Sequence, residues 1–86
     1  MKRIAIITSE GCVPCRMLKY ELSKREIPFD SYDENSLNAE HLLNLTTEMA
    51  SPITFLLEQN PLGVTHEVVA GYSMEKLQKI LDWWSE

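Results

Sequence analysis

Apolar and polar positions change period several times along the chain, and each change marks an expected element. Arg3 to Thr8, "RIAIIT", is a nearly continuous apolar run rich in isoleucine, which suits a strand buried on both faces in the middle of a sheet. "SEGCVPC" interrupts the run. From Pro14 onward Cys15, Leu18 and Leu22 fall at steps of three and four, one face of a helix. Pro14 fits a first helical turn, where its missing N–H has no intrahelical task. The helix is expected to end near Glu26, because the residue before Pro28 is biased away from helical backbone, and a short half-polar edge strand can follow through Asp33.

Helical spacing returns with Leu42, Leu45 and Met49, which predicts a helix from Asn38 to Met49 with Ser36 and Asn38 both available as caps. "SPITFLLEQNPLGVTHEVVAG" reads as two strands, Ile53 to Glu58 and Val64 to Ala70, joined as a hairpin by the turn residues of "NPLG". Ser73 can then cap a last helix whose Met74, Leu77, Ile80, Leu81 and Trp84 form an apolar stripe. The pair Trp83 and Trp84 could suggest a binding box, but Trp84 continues the stripe and is read as core. The order is strand, helix, strand, helix, strand, strand, helix: an α/β chain with a four-stranded sheet and three helices on its faces.

Composition narrows the picture. At 86 residues the chain is expected to form one domain, 1–86, large enough to fold without a staple. No repeat, linker or low-complexity stretch divides it. Thirteen acidic residues against eight basic ones give a formal charge of −5, which repels phosphate backbones and excludes a nucleic-acid partner. The N-terminal apolar run stops at Thr8, too short for a secretory core or a membrane span, so a cytoplasmic protein is expected. In a reducing compartment a lone pair of cysteines is more plausibly catalytic or metal-binding than a structural disulfide.

Disulfide exchange proceeds by thiolate attack, so a working centre needs one exposed thiol of lowered pKa and a second to resolve the mixed disulfide. Cys12 at a helix N-terminus would have unpaired backbone N–H groups and the positive end of the helix dipole to favour its thiolate, which makes it the expected nucleophile. Cys15, one turn on and inward in the periodicity, is the expected resolving sulfur. Arg16 and Lys19 would add positive potential and Glu10 would oppose it.

A C-x-x-C after a first strand and opening a helix resembles the thioredoxin superfamily, and "CVPCRML" is similar to the thioredoxin motif in Pro14 and in the basic residue after the second cysteine. "REIPFDSYDEN" resembles the second strand of glutaredoxins. "AGYSMEKL" looks like the glycine-aromatic turn before the last helix of small glutaredoxin-like redoxins that donate electrons to ribonucleotide reductase. The resemblance implies a thioredoxin fold with a four-stranded mixed sheet. It implies that Pro52 in "SPITF" is cis and lies beside the dithiol, with the Ser51 backbone free to pair with an extended substrate. Gly11, Val13 and Pro14 in the cysteine loop, and Gly71 and Tyr72 on the far wall, would complete a substrate groove.

The implied activity is that of a small protein-disulfide reductase, expected to be monomeric and to need no bound cofactor beyond its own disulfide. Its clients would be protein disulfides such as that of ribonucleotide reductase, its electrons drawn from thioredoxin reductase or glutathione. Two departures bear on the electron source. Ile6 stands where thioredoxins carry a buried acid, and Val13, Pro14, Tyr72 and Ser73 replace residues usual in glutathione-using glutaredoxins.

Two further readings compete. His41 and His66 complete the ligand count of a zinc site, but each lies about two dozen residues from its neighbours in the set, unlike a zinc finger's compact pair. Neither histidine is given a role. A redox-inert adaptor or metal-binding module built on the same fold is the alternative from another functional class.

Overall fold

Four consecutive side chains of β1 (Lys2–Thr8), Ile4, Ala5, Ile6 and Ile7, are buried, which requires cover on both faces of the strand. In the computed structural model, which describes residues 1–47 and 51–86, β1 lies inside a four-stranded sheet of order β2-β1-β3-β4. The edge strand β2 (Asp30–Asp33) runs parallel to β1, β3 (Ile53–Asn60) runs antiparallel on its other side, and β4 (Gly63–Ala70) is antiparallel to β3. The sheet is therefore mixed, and the element order is βαβαββα.

Side chains alternate across the sheet, so Ile4 and Ile6 serve one face and Ala5 and Ile7 the other. On the first, α1 (Val13–Lys24) and α3 (Met74–Ser85) bury Leu18, Leu22, Leu77 and Ile80 against Ile4, Ile6, Leu56 and Val69. On the second, α2 (Leu37–Leu43) buries Ala39 beside Ala5, Ile7, Ile53 and Phe55.

The ends of α1 and α2 differ from the sequence expectation. The first helix stops at Lys24, not near Glu26, and Pro28 is not what stops it. Glu26 adopts a left-handed φ of 57°, Ile27 N–H donates to Leu22 O at 3.0 Å and Glu26 N–H to Ser23 O at 3.0 Å, the paired bonds of a Schellman turn. Ile27 and Leu22 join the same apolar cluster beneath it. Arg25 pairs with Glu21 one turn back and donates to Glu21 O at 3.1 Å, holding the Glu21 carboxyl below its ordinary value through the side-chain hydrogen bond.

The second helix is shorter than the expected Asn38 to Met49. Ser36 caps it, its Oγ accepting from Ala39 N–H at 3.2 Å while donating to Asp33 O at 2.7 Å, and Asn44 closes it. That anchor to the end of β2 sets the helix rotation, so Ala39 meets the sheet and Leu45 is left exposed. Met49 lies outside the described residues.

The hairpin is more fully paired than expected, with Asn60 opposite Gly63, and Asn60 Oδ1 accepting from Leu62 N–H at 2.9 Å in the two-residue link. Met74, expected on the buried stripe, is 75% exposed. It is the first residue of α3, where the side chain leans back toward the N-terminus and past the sheet. Trp83 and Trp84 are both half-buried against the core, their rings 6.4 Å apart and tilted by 44°. Lys2 Nζ lies 5.0 Å from the Trp83 ring centre and donates to Trp83 O (2.6 Å) and Glu86 O (2.9 Å), giving the last turn of α3 a cation at its negative end.

A left-handed conformation costs an L-residue with a Cβ about 1–2 kcal/mol, part of which glycine gives back as unfolded-state entropy. Replacement of Glu26 by Gly is therefore expected to stabilise the fold by about 0.5–1 kcal/mol, read as a higher urea midpoint at unchanged slope. An unchanged or lower midpoint would show that the turn carries no such strain.

Candidate dithiol site

The short link from β1 into α1 forces the helix to begin over the C-terminal end of the central strand. Gly11 makes the turn with φ of 72°, and Cys12 N–H donates to Ser9 O at 3.3 Å. Cys12 is the N-cap, with extended backbone, and Cys15 N–H donates to Cys12 Sγ at 3.1 Å. Sulfur thus takes the place that a serine or aspartate oxygen fills at an ordinary cap. Pro14 sits in the first turn, which contains no acidic residue to oppose the helix dipole.

Cys12 and Cys15 are joined in a disulfide with their Cα atoms 5.3 Å apart. The two sulfurs are not equivalent: Cys12 is half-buried, whereas Cys15 is only 2% exposed and faces the sheet. Once the bond opens, the Cys12 sulfur is the one that an external disulfide can reach, and it already has a backbone donor directed at it.

Strand register brings the other expected residues to the same end of the sheet. Ile53 pairs with Ile7 on one side and with Ala70 on the other, so Pro52 and Gly71 both stand beside the exit of β1. The Ser51–Pro52 peptide is cis, and Pro52 O accepts from Gly71 N–H at 2.7 Å. Gly71 has φ of 80°, and a Cβ there would stand 3.2 Å from Lys76 Nζ, which itself donates to Ala70 O.

Tyr72 and Val13 share an open cleft with Arg16, Met17, Tyr20 and Glu21. Ser51 lines a different one, on the α2 side, with Ile7, Glu34, Leu43 and Ile53. The expected residues therefore do not form one continuous groove: Val13 and Tyr72 line a cleft beside α1, Ser51 lines another on the α2 side, Pro52 is fully buried, and Gly11 and Pro14 are exposed in the cysteine loop.

Two features were not anticipated. Met17 and Tyr20, 50% and 64% exposed, continue from Val13 along the outer side of α1. Their signal was present as apolar residues at steps of four and three that miss the buried stripe. Thr54 is wholly buried and its hydroxyl finds no partner among the described residues, an omission that costs about 1–3 kcal/mol. His41 and His66 are exposed on α2 and β4, and among the described residues no group of three His, Cys, Asp or Glu side chains is placed to hold a metal ion. No helix among the described residues is long and apolar enough to cross a membrane.

A βαβαββα mixed sheet with a C-x-x-C disulfide at the head of its first helix is a thioredoxin-like fold, and solved structures agree. The thioredoxin-like protein BC3987 superposes with a TM-score of 0.66 at 28% identity, over 91% of this chain and 99% of that one. Thioredoxin f from spinach chloroplast superposes at 0.71 over 99% of this chain and 77% of that one, its 19% identity showing the fold alone. In sequence the chain is a distant homologue of the gene 56 protein of Mycobacterium phage L5, 25% identical over 84 residues, covering 95% of this chain and 75% of that protein. No protein-family model matches the chain.

The difference in exposure has a direct chemical readout. After reduction, brief treatment with iodoacetamide is expected to alkylate Cys12 at least about tenfold faster than Cys15, with peptide mass spectrometry assigning the sites. Equal labelling of the two thiols in the folded protein would contradict the asymmetry.

Proposed function

We propose that this protein is a dithiol–disulfide oxidoreductase that reduces disulfides in protein substrates. The observation that carries the reading is the asymmetric pair: an accessible sulfur at a helix N-cap with an N–H directed at it, and a buried sulfur one turn on. In the reduced protein the Cys12 thiolate attacks a substrate disulfide, forming a Cys12–substrate bond and expelling one substrate thiolate. The Cys15 thiolate then attacks Cys12 Sγ, closes the internal disulfide and releases the second substrate sulfur as thiolate. The substrate gains two electrons, and two protons in all pass to its sulfurs by way of solvent; the protein loses the same. No further cofactor enters the balance.

The half-buried Ser51 backbone, preceding the fully buried Pro52, would offer an edge for an extended substrate segment, and Val13, Pro14 and Tyr72 would offer apolar contact near the attacking sulfur. Gly11 and Gly71 let the chain turn close to it. Thioredoxin reductase is the favoured electron source, because the residues at Val13, Pro14, Tyr72 and Ser73 do not follow the glutathione-using pattern. The similarity to small redoxins makes ribonucleotide reductase the first client to test, in the cytoplasm and with the protein as a monomer.

Turnover of an insulin-type disulfide substrate, driven by NADPH and thioredoxin reductase and in parallel by glutathione with its reductase, tests the reading. Cys12→Ser is expected to abolish turnover, and Cys15→Ser to accumulate a mixed disulfide visible as a mass increase. Absence of turnover with both donors would favour the redox-inert adaptor, and full activity in Cys12→Ser would overturn the assignment of the nucleophile.

A further inference from the structure

Among the described residues Thr54 is the sole buried polar side chain, and its hydroxyl has no hydrogen-bond partner. Proteins rarely keep such a group where valine would fill the same volume at no polar cost. Its position is specific. Thr54 is paired with Ile6 in β1 and Val69 in β4, and alternation places it with Leu56 on the face that α1 and α3 cover. It is two residues from Pro52, at the end of the sheet where α1 begins. The successive inward residues of α1 are Cys15, Leu18 and Leu22, and the first of these lies over that end. Strand register and helix spacing therefore assign the orphan hydroxyl and the buried Cys15 sulfur to the same face of the sheet, at the end where α1 begins.

The disulfide state leaves the hydroxyl nothing to do, because a bonded sulfur carries no charge. The open state is different. A thiol buried in apolar surroundings gives up its proton reluctantly, yet Cys15 must be a thiolate to resolve a mixed disulfide. The buried residues of this face from β1, β4, α1 and α3 include Ile6, Val69, Leu18 and Leu77, none of which titrates, and among the described residues Tyr72, in the link between β4 and α3, is the one titratable side chain packed against that cluster. The charged side chains near the dithiol, Glu10, Arg16, Lys19 and Lys76, lie outside the buried core.

Building on the oxidoreductase reading, we infer that Thr54 is a positioning residue for resolution: its hydroxyl donates a hydrogen bond to the Cys15 thiolate once the disulfide opens. Opening the bond frees Cys15 Sγ to turn toward the sheet. Thr54 keeps its proton throughout; the bond that forms is Cys12–Cys15, the bond that breaks is Cys12–substrate, and the electron pair leaves on the substrate sulfur.

The test compares wild type with Thr54→Val, which keeps the shape, and Thr54→Ser, which keeps the hydroxyl. Reduced protein is mixed with an aromatic disulfide that releases a coloured thiol. The first equivalent of colour reports attack by Cys12 and the second reports resolution by Cys15. Thr54→Val is expected to melt no lower than wild type in the oxidised form and to leave the first phase unchanged. It should raise the pKa governing the second phase by about one unit, the worth of a hydrogen bond to a charged group.

Thiolate nucleophilicity rises with basicity at a Brønsted slope of about 0.4–0.5, so the second phase should be about threefold slower at neutral pH and about threefold faster on its alkaline plateau. Thr54→Ser should restore the wild-type profile. Coincident second-phase pH profiles in wild type and Thr54→Val would overturn the inference. Equal change in Thr54→Val and Thr54→Ser would do so too, assigning the effect to packing. Failure of wild type to release a second equivalent would instead refute the oxidoreductase reading beneath it.

Discussion

Hydrogen bonding on both edges of β1 and burial of both its faces is the constraint to which the other elements answer. Three isoleucines of the strand, at positions 4, 6 and 7, are at most 1% exposed, each worth about 2 kcal/mol of burial, against a total stability of about 5–15 kcal/mol for a domain. That demand brings a helix to each face, and the first helix must start immediately, because the connection from Thr8 is only a few residues long. The dithiol is located by this geometry. It lies where a strand buried on both faces through residues 4–7 hands the chain to a helix whose first turn is only half covered, so one sulfur of the pair remains reachable while the other is enclosed.

The same end of the sheet collects the remaining residues of the site through register. Pro52 enters the antiparallel neighbour of β1, Gly71 leaves β4, and a single hydrogen bond from Gly71 N–H to Pro52 O ties the two together. Residues far apart in sequence thus meet because strand pairing leaves them no other place. The chemistry proposed for the pair depends on this rigidity, since an N-cap sulfur is useful only if the backbone donor stays directed at it.

Much of this was legible in the chain. "RIAIIT" read as a central strand because a continuous apolar run in a domain of this size must be covered on both faces, and the inward position of Cys15 followed from its spacing to Leu18 and Leu22. What escaped has identifiable causes. Glutamate carries none of the glycine signal of a Schellman turn, so Glu26 gave no warning of the early stop. Ala39 is too small to register in an apolar pattern, yet its size lets α2 approach the sheet, whereas the more conspicuous Leu45 is exposed. Thr54 looked like an ordinary strand former; that its hydroxyl is stranded becomes apparent only when α1 and α3 are laid over it.

The indole pair at the far end of α3 has an optical consequence. Two indole rings with centres 6.4 Å apart and planes tilted by 44° are close enough for their strong far-ultraviolet transitions to couple, and a fixed chiral arrangement makes that coupling visible as a split ellipticity. The signal exists only while the core holds both rings in place, with the ammonium of Lys2 over that of Trp83. It would fade on loss of tertiary order even if the helices survived, giving the molecule an intrinsic chiroptical gauge of packing at the end opposite its sulfur chemistry.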